Sequence, residues 1–112
     1  MISVTISRNP AGRIYGFSVL NHSKSDVCAA VSLLTLNTVN SIEALTDETF
    51  NCDYNPEGGF LQVELPRVKE GLESPSAGLL LDAMALGLHS VKENYSNEIE
   101  IEDVKCTNFK NM

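Results

Sequence analysis

Near its N-terminus the chain reads Ile2-Ser3-Val4-Thr5-Ile6-Ser7, in which every second residue is apolar. This alternation predicts a β-strand that buries one face, because successive side chains of a strand point to opposite sides of the sheet. The turn formers Asn9-Pro10-Ala11-Gly12 come next, and residues 13–20 return to a strand-like pattern. The sequence therefore predicts that the first two elements form a β-hairpin.

The sequence beyond this hairpin predicts two helices and three further strands. Helical periodicity is found over about residues 27–45 and 76–95, and strand patterns over residues 49–53, 60–65 and 98–104. The charged segment 67–74 is predicted to be a surface connector. The predicted order is β-β-α-β-β-α-β, and the fold class is α+β. In the simplest two-layer packing, two helices cover one face of a mainly antiparallel five-stranded sheet.

Length and charge restrict the function. The 112 residues predict a single domain over 1–104 followed by a polar C-terminal tail over 105–112. The net charge of −7 argues against direct nucleic-acid binding and is compatible with a basic peptide partner. No signal-peptide layout and no apolar stretch of spanning length is recognised, so we expect a cytoplasmic protein without a membrane partner.

Cys28, Cys52 and Cys106 form an odd set of cysteines without CxxC spacing. A disulfide framework is not expected in such a chain, and a structural zinc site would require four close ligands. The position of Cys52 in a short strand predicts a core residue, whereas the position of Cys106 in the tail assigns it no role.

The segment Ser25-Asp26-Val27-Cys28 stands at the predicted start of the first helix, and His22 lies six residues before Cys28. A helix N-terminus lowers the pKa of a thiol, because unpaired backbone N–H groups stabilise the thiolate. An imidazole close by would accept the thiol proton and later return it. Cys28 and His22 are therefore a candidate nucleophile and base. The alternative is a small buried cysteine beside a solvated loop histidine.

Three neighbouring side chains are candidates for a supporting role. Ser25 or Asp26 would cap the helix, and Asp26 would alternatively orient His22. Ser32 lies one helical turn after Cys28, where it would support the site or donate a hydrogen bond to a helix carbonyl.

These residues resemble the signature of the ribosomal-processing cysteine proteases, the Prp family. Asn21-His22-Ser23 and the segment Ser25-Asp26-Val27-Cys28-Ala29-Ala30-Val31-Ser32 match its two motifs, and the similarity extends over about residues 1–102. The resemblance implies a homodimeric, cofactor-free cysteine endopeptidase that removes an N-terminal extension from large-subunit ribosomal protein twenty-seven. It places the nucleophile at Cys28, the base at His22 and the helix serine at Ser32.

The sequence departs from this family at several positions. Asn21 and Ser23 replace the glycine and the alanine that flank the histidine, Asp26 is one residue closer to the cysteine, and the loop between His22 and Cys28 is short. The short loop predicts a more open cleft. Two other functions are compatible with the residues: a divergent non-catalytic module that binds a basic ribosomal peptide, and a thiol redox sensor.

Overall fold

The computed structural model describes residues 1–21 and 26–107 of the chain. Its eight elements are β1 (Ile2–Arg8), β2 (Ile14–Leu20), α1 (Asp26–Leu45), β3 (Asn51–Tyr54), β4 (Phe60–Glu64), α2 (Pro66–Lys69), α3 (Pro75–Asn94) and β5 (Ile99–Lys105).

The strands form one five-stranded sheet in the order β3-β4-β2-β1-β5. The pairs β1–β2, β2–β4 and β3–β4 are antiparallel, whereas β5 runs parallel to β1. The parallel pair follows from the connection through α3, because a helix returns the chain to the end at which it started. The α+β class and the mainly antiparallel sheet predicted from the sequence are confirmed.

The core lies between the sheet and the two long helices. Ile2, Val4 and Ile6 are buried on one face of β1, as the alternation predicted. The helices α1 and α3 approach closely at Gly87, where a Cβ atom would lie 2.8 Å from Cδ2 of Leu34. Glycine therefore permits the spacing at which both helices cover the same sheet face.

The short helix α2 corrects the prediction of an irregular connector over residues 67–74. Pro66 follows β4 and occupies the first turn of α2. Proline suits this position because its fixed φ is close to helical and its missing N–H would have no intrahelical partner. Val68 is buried, and its carbonyl accepts a 2.9 Å hydrogen bond from Nδ2 of the buried Asn9. The segment is thus attached to the first hairpin turn.

By length and composition alone, α1 is apolar enough to cross a membrane, which differs from the expectation that no segment would be. One side of α1 is buried, through residues that include Val31 and Ile42. Packing against the sheet and α3 therefore accounts for the apolar composition of this helix.

Candidate active site

Cys28 is the third residue of α1 and lies in its first turn. Cys28 is only 4% exposed and belongs to the buried face of the helix, as part of the hydrophobic core. The aligned peptide dipoles of a helix give its N-terminal end partial positive charge, so α1 carries such charge next to this thiol. The location predicted for Cys28 is therefore where the structure has it. Its role as a nucleophile stays a prediction.

His22 and Ser25 lie outside the described residues, so the proposed Cys–His pair and the cap at Ser25 stay predictions. The residue before His22 is described. Asn21 has a φ of 65°, and its N–H donates a 3.0 Å hydrogen bond to the carbonyl of Gly59. This bond connects the end of β2 to the turn between β3 and β4, and so sets where the chain leaves the sheet towards His22.

The conformation of Asn21 explains one departure from the family motif. A positive φ is the region that favours glycine, which the family has at this position. Asparagine is among the few other residues that adopt it readily. The exchange of glycine for Asn21 therefore preserves the backbone path.

Asp26 and Ser32 lie on either side of Cys28 along α1. Asp26 is exposed and is the first residue of α1, and its proposed roles in capping the helix or orienting His22 stay predictions. An acidic side chain in the first turn still interacts favourably with the helix dipole. Ser32 is half-buried one turn after Cys28, on the same side of the helix.

A groove of about 330 Å³ lies between α1 and the hairpin of β3 and β4. This groove is not predictable from the sequence, because its walls come from segments that are distant in the chain. The only signal would have been the large apolar residues left exposed, Leu36 on α1 and Tyr54 on β3. Its lining includes Thr35, Leu36, Val39, Tyr54, Phe60 and Leu61.

Cys52 also lines the groove, and its location corrects the prediction of a core residue. It is exposed because β3 is an edge strand, which the helices cover only partly. Partial burial of its sulfur raises the pKa of the Cys52 thiol, and the neighbouring Asp53 carboxylate raises it further. This thiol is therefore protonated at neutral pH and contributes an apolar surface.

Cys106 follows β5 and is half-buried rather than part of a frayed tail. Its N–H donates to the carbonyl of Arg8, and its sulfur lies 3.7 Å from the hydroxyl of Tyr15. Burial raises the pKa of the Tyr15 hydroxyl, and the contact with Cys106 raises it further.

Metal ligands are not clustered in the part of the chain that the structure describes: no group of three or more His, Cys, Asp or Glu side chains there would hold an ion. His89 is exposed on α3, and its Nε2 is 4.0 Å from the carboxylate of Asp103. His89 therefore lies on the surface of α3.

Comparison with known proteins gives matches over almost the whole chain. A curated ribosomal processing cysteine protease Prp from Staphylococcus aureus is 26% identical over 107 residues, which cover 90% of this chain and 97% of the relative. A crystal structure described as an essential ribosomal processing protease Prp from S. aureus, with a covalently linked product peptide, is 27% identical. Its TM-score is 0.84, and the match covers 92% of this chain and 99% of that one. A structure from Streptococcus mutans gives a TM-score of 0.82 at 27% identity, covering 95% of this chain and 96% of the other.

The fold thus occurs in a class of cysteine proteases. Residues 1–100 match the family described as cysteine protease Prp. The chain belongs to this family.

Proposed function

We propose that this cysteine protease removes the N-terminal extension of large-subunit ribosomal protein twenty-seven, with Cys28 as nucleophile and His22 as general base and acid. The observation that carries the proposal is the position of Cys28 in the first turn of α1, within a fold whose S. aureus relative holds a covalently linked product peptide. A covalent peptide adduct is the expected intermediate of nucleophilic catalysis by a thiol.

In this mechanism the Cys28 thiolate attacks the carbonyl carbon of the scissile peptide bond, and His22 carries the proton taken from the thiol. The tetrahedral intermediate collapses when the C–N bond breaks, and His22 donates that proton to the departing amine. The acyl group stays on Cys28 Sγ as a thioester. Water, deprotonated by His22, then hydrolyses the thioester and regenerates the thiol.

The oxyanion of each tetrahedral intermediate requires hydrogen-bond donors. Backbone N–H groups in the first turn of α1, including that of Cys28, are suited to this because they point towards the positive end of the helix dipole, which favours a negatively charged oxygen. Such donors are held by the helix and need no reorganisation during the reaction.

A basic substrate suits the charge of this end of the molecule. The net charge is −7, and Asp26, Asp53 and Glu57 are exposed at the start of α1 and along the hairpin of β3 and β4. Long-range attraction between this surface and a basic peptide would raise the rate of encounter, and salt would weaken it.

The test is incubation of the protein with a peptide copy of the ribosomal protein's N-terminal extension, followed by mass spectrometry. Cys28→Ala is expected to lower kcat/KM by at least about 1,000-fold, since the acyl-enzyme cannot form. Cys52→Ala and Cys106→Ala are the matched controls and should still cleave. Full activity in Cys28→Ala would reject the assignment. Peptide binding without cleavage by the wild-type protein would support the alternative, a non-catalytic module that binds a basic ribosomal segment.

We also propose a homodimer in a cytoplasmic setting. The two-helix layer exposes apolar side chains on its outer surface: Leu33 of α1 and Leu79 and Leu86 of α3 are each at least 70% exposed. Leu79 and Leu86 are seven residues apart and therefore lie on one face of α3, where exposed apolar side chains are suited to an interface. Light scattering at micromolar concentration should give the mass of a dimer, and Leu86→Glu should give a monomer. A monomeric wild-type protein would contradict this proposal.

A further inference from the structure

The groove between α1 and β3 lies on the same side of α1 as Cys28. Cys28, Ser32, Leu36 and Val39 follow one another at intervals of four, four and three residues, which places them along one face of the helix. Leu36 and Val39 line the groove. The opposite flank of the helix faces α3, where Leu34 approaches Gly87. The nucleophile and the groove are therefore carried by one rigid element.

The distance from the thiol to the groove matches a short length of extended peptide. Thr35, the groove residue nearest to Cys28 along α1, is seven residues further on, which is about 10 Å at 1.5 Å per residue. An extended chain advances about 3.3 Å per residue. A peptide whose scissile bond lies at Cys28 would reach the groove about three residues away.

The outer edge of β3 offers the backbone of such a peptide a place to bind. β3 is at the edge of the sheet, and its four residues, Asn51–Tyr54, are all exposed. Within the described residues the only strand paired with it is β4. An extended segment can therefore add to this edge by main-chain hydrogen bonds, which leaves alternate side chains pointing into the groove.

The groove lining selects the kind of side chain. Leu36, Val39, Tyr54 and Leu61 contribute apolar surface, and the thiol of Cys52 is uncharged at neutral pH. The polar lining residues, Thr35, Asn40 and Asn55, carry no charge, so a charged side chain placed here would lose hydration without gaining an ionic partner.

We infer that this groove is a specificity subsite that takes a large apolar side chain of the substrate, about three residues from the scissile bond. The peptide backbone runs along the edge of β3. This inference rests on the proposed function, because it places the scissile bond at Cys28. It identifies the substrate class as extended peptides that combine basic character with one anchoring apolar residue.

The experiment pairs a groove-filling variant with substrates that lack one apolar residue. Leu36→Trp fills the groove, and Leu45→Trp is the matched control: it makes the same exchange at an exposed leucine of the same helix, away from the groove. Each protein is assayed with a peptide copy of the ribosomal extension and with copies in which one apolar residue at a time becomes serine. Circular dichroism verifies that both variants are folded.

For the wild-type protein and Leu45→Trp, serine at the anchoring position should lower kcat/KM by about 10- to 100-fold, the range expected for losing one buried apolar side chain. For Leu36→Trp, kcat/KM with the unaltered peptide should already be at least tenfold lower than for the wild-type protein. The same serine exchange should then change kcat/KM of this variant by less than about twofold. Equal responses in all three proteins would overturn the inference.

Binding to Cys28→Ala separates this inference from the proposed function. If the wild-type protein cleaves no peptide, fluorescence titration of Cys28→Ala still measures affinity, and Leu36→Trp in that background should abolish the effect of the serine exchange. N-methylation of successive peptide amides near the anchor should weaken binding at alternate positions, because only every second amide faces β3. A uniform effect of N-methylation would refute the placement of the backbone.

Discussion

Asn21 gives the sharpest test of whether the backbone before His22, the proposed general base, matters for activity. It is the one non-glycine residue with a positive φ in the described part of the chain, at 65°. A left-handed conformation costs an ordinary L-residue about 1–2 kcal/mol, with the higher value for β-branched residues, whereas glycine and asparagine adopt it more easily. We therefore expect Asn21→Gly to be nearly neutral, Asn21→Ala to lose about 1 kcal/mol and Asn21→Val to lose about 2 kcal/mol of unfolding free energy.

The effect on activity should exceed the effect on stability. If valine shifts the backbone to a negative φ, the 3.0 Å hydrogen bond from the Asn21 N–H to the Gly59 carbonyl is lost and the path into His22 changes. A displacement of about 1 Å at a catalytic group can lower the rate by about 100-fold. We expect kcat/KM to fall by about that factor in Asn21→Val and to stay within about threefold in Asn21→Gly.

The assays are urea denaturation and cleavage of the extension peptide. Asn97→Val serves as the control, since Asn97 is an exposed turn residue without a positive φ. If Asn21→Val matches Asn21→Gly in both assays, the backbone conformation at this position does not determine the site, and the reasoning is wrong.

Three further predictions concern stability. Gly16→Ala should lower the free energy of unfolding by about 2–4 kcal/mol, because the added Cβ atom would lie 2.6 Å from the carbonyl oxygen of Val63 on the neighbouring strand. An unchanged urea denaturation curve would contradict this prediction. Gly78→Ala should raise the free energy of unfolding by about 0.5–1 kcal/mol, because alanine has the higher helix propensity and no atom lies within 4 Å of the new Cβ atom in α3. A lower free energy of unfolding in the same assay would refute this prediction. The raised pKa of Tyr15 means that the folded state favours the protonated hydroxyl. The contribution of this group to the free energy of unfolding is therefore fully present below its ordinary pKa of 10.0 and declines as the pH rises past that value. Tyr15→Phe should therefore lose less stability between pH 8 and pH 11 than the wild-type protein does, and parallel pH profiles would rule this out.

The fold was predictable wherever its determinants are local. The alternation of Ile2, Val4 and Ile6 is enough to predict a strand with one buried face, and helical periodicity located α1 to within one residue. The parallel pairing of β5 with β1 was not predictable, because it depends on where α3 returns the chain. The short helix α2 was missed, since Pro66 is compatible both with the end of a strand and with the first turn of a helix.

The same distinction applies to the site. Cys28 could be singled out because the chemistry of a helix N-terminus depends on a few adjacent residues. The exposure of Cys52 was not predictable from its strand pattern, because a strand carries no local sign of whether it lies at the edge of a sheet. The groove joins Leu36 to Tyr54, which are 18 positions apart in sequence, so only the packing of α1 beside β3 reveals it.

The proposed site, with Cys28 as nucleophile and the groove as subsite, would let a small domain combine thiol catalysis with substrate selection. α1 begins at the end of the sheet where β2 stops, and the Asn21–Gly59 hydrogen bond holds the turn between β3 and β4 at this same end. The first turn of the helix therefore presents Cys28 where the chain leaves the sheet, while its next turns form one wall of the groove. Because both features belong to one packed helix, the distance from the scissile bond to the anchoring side chain is set by helical rise and does not require a long loop to close over the peptide.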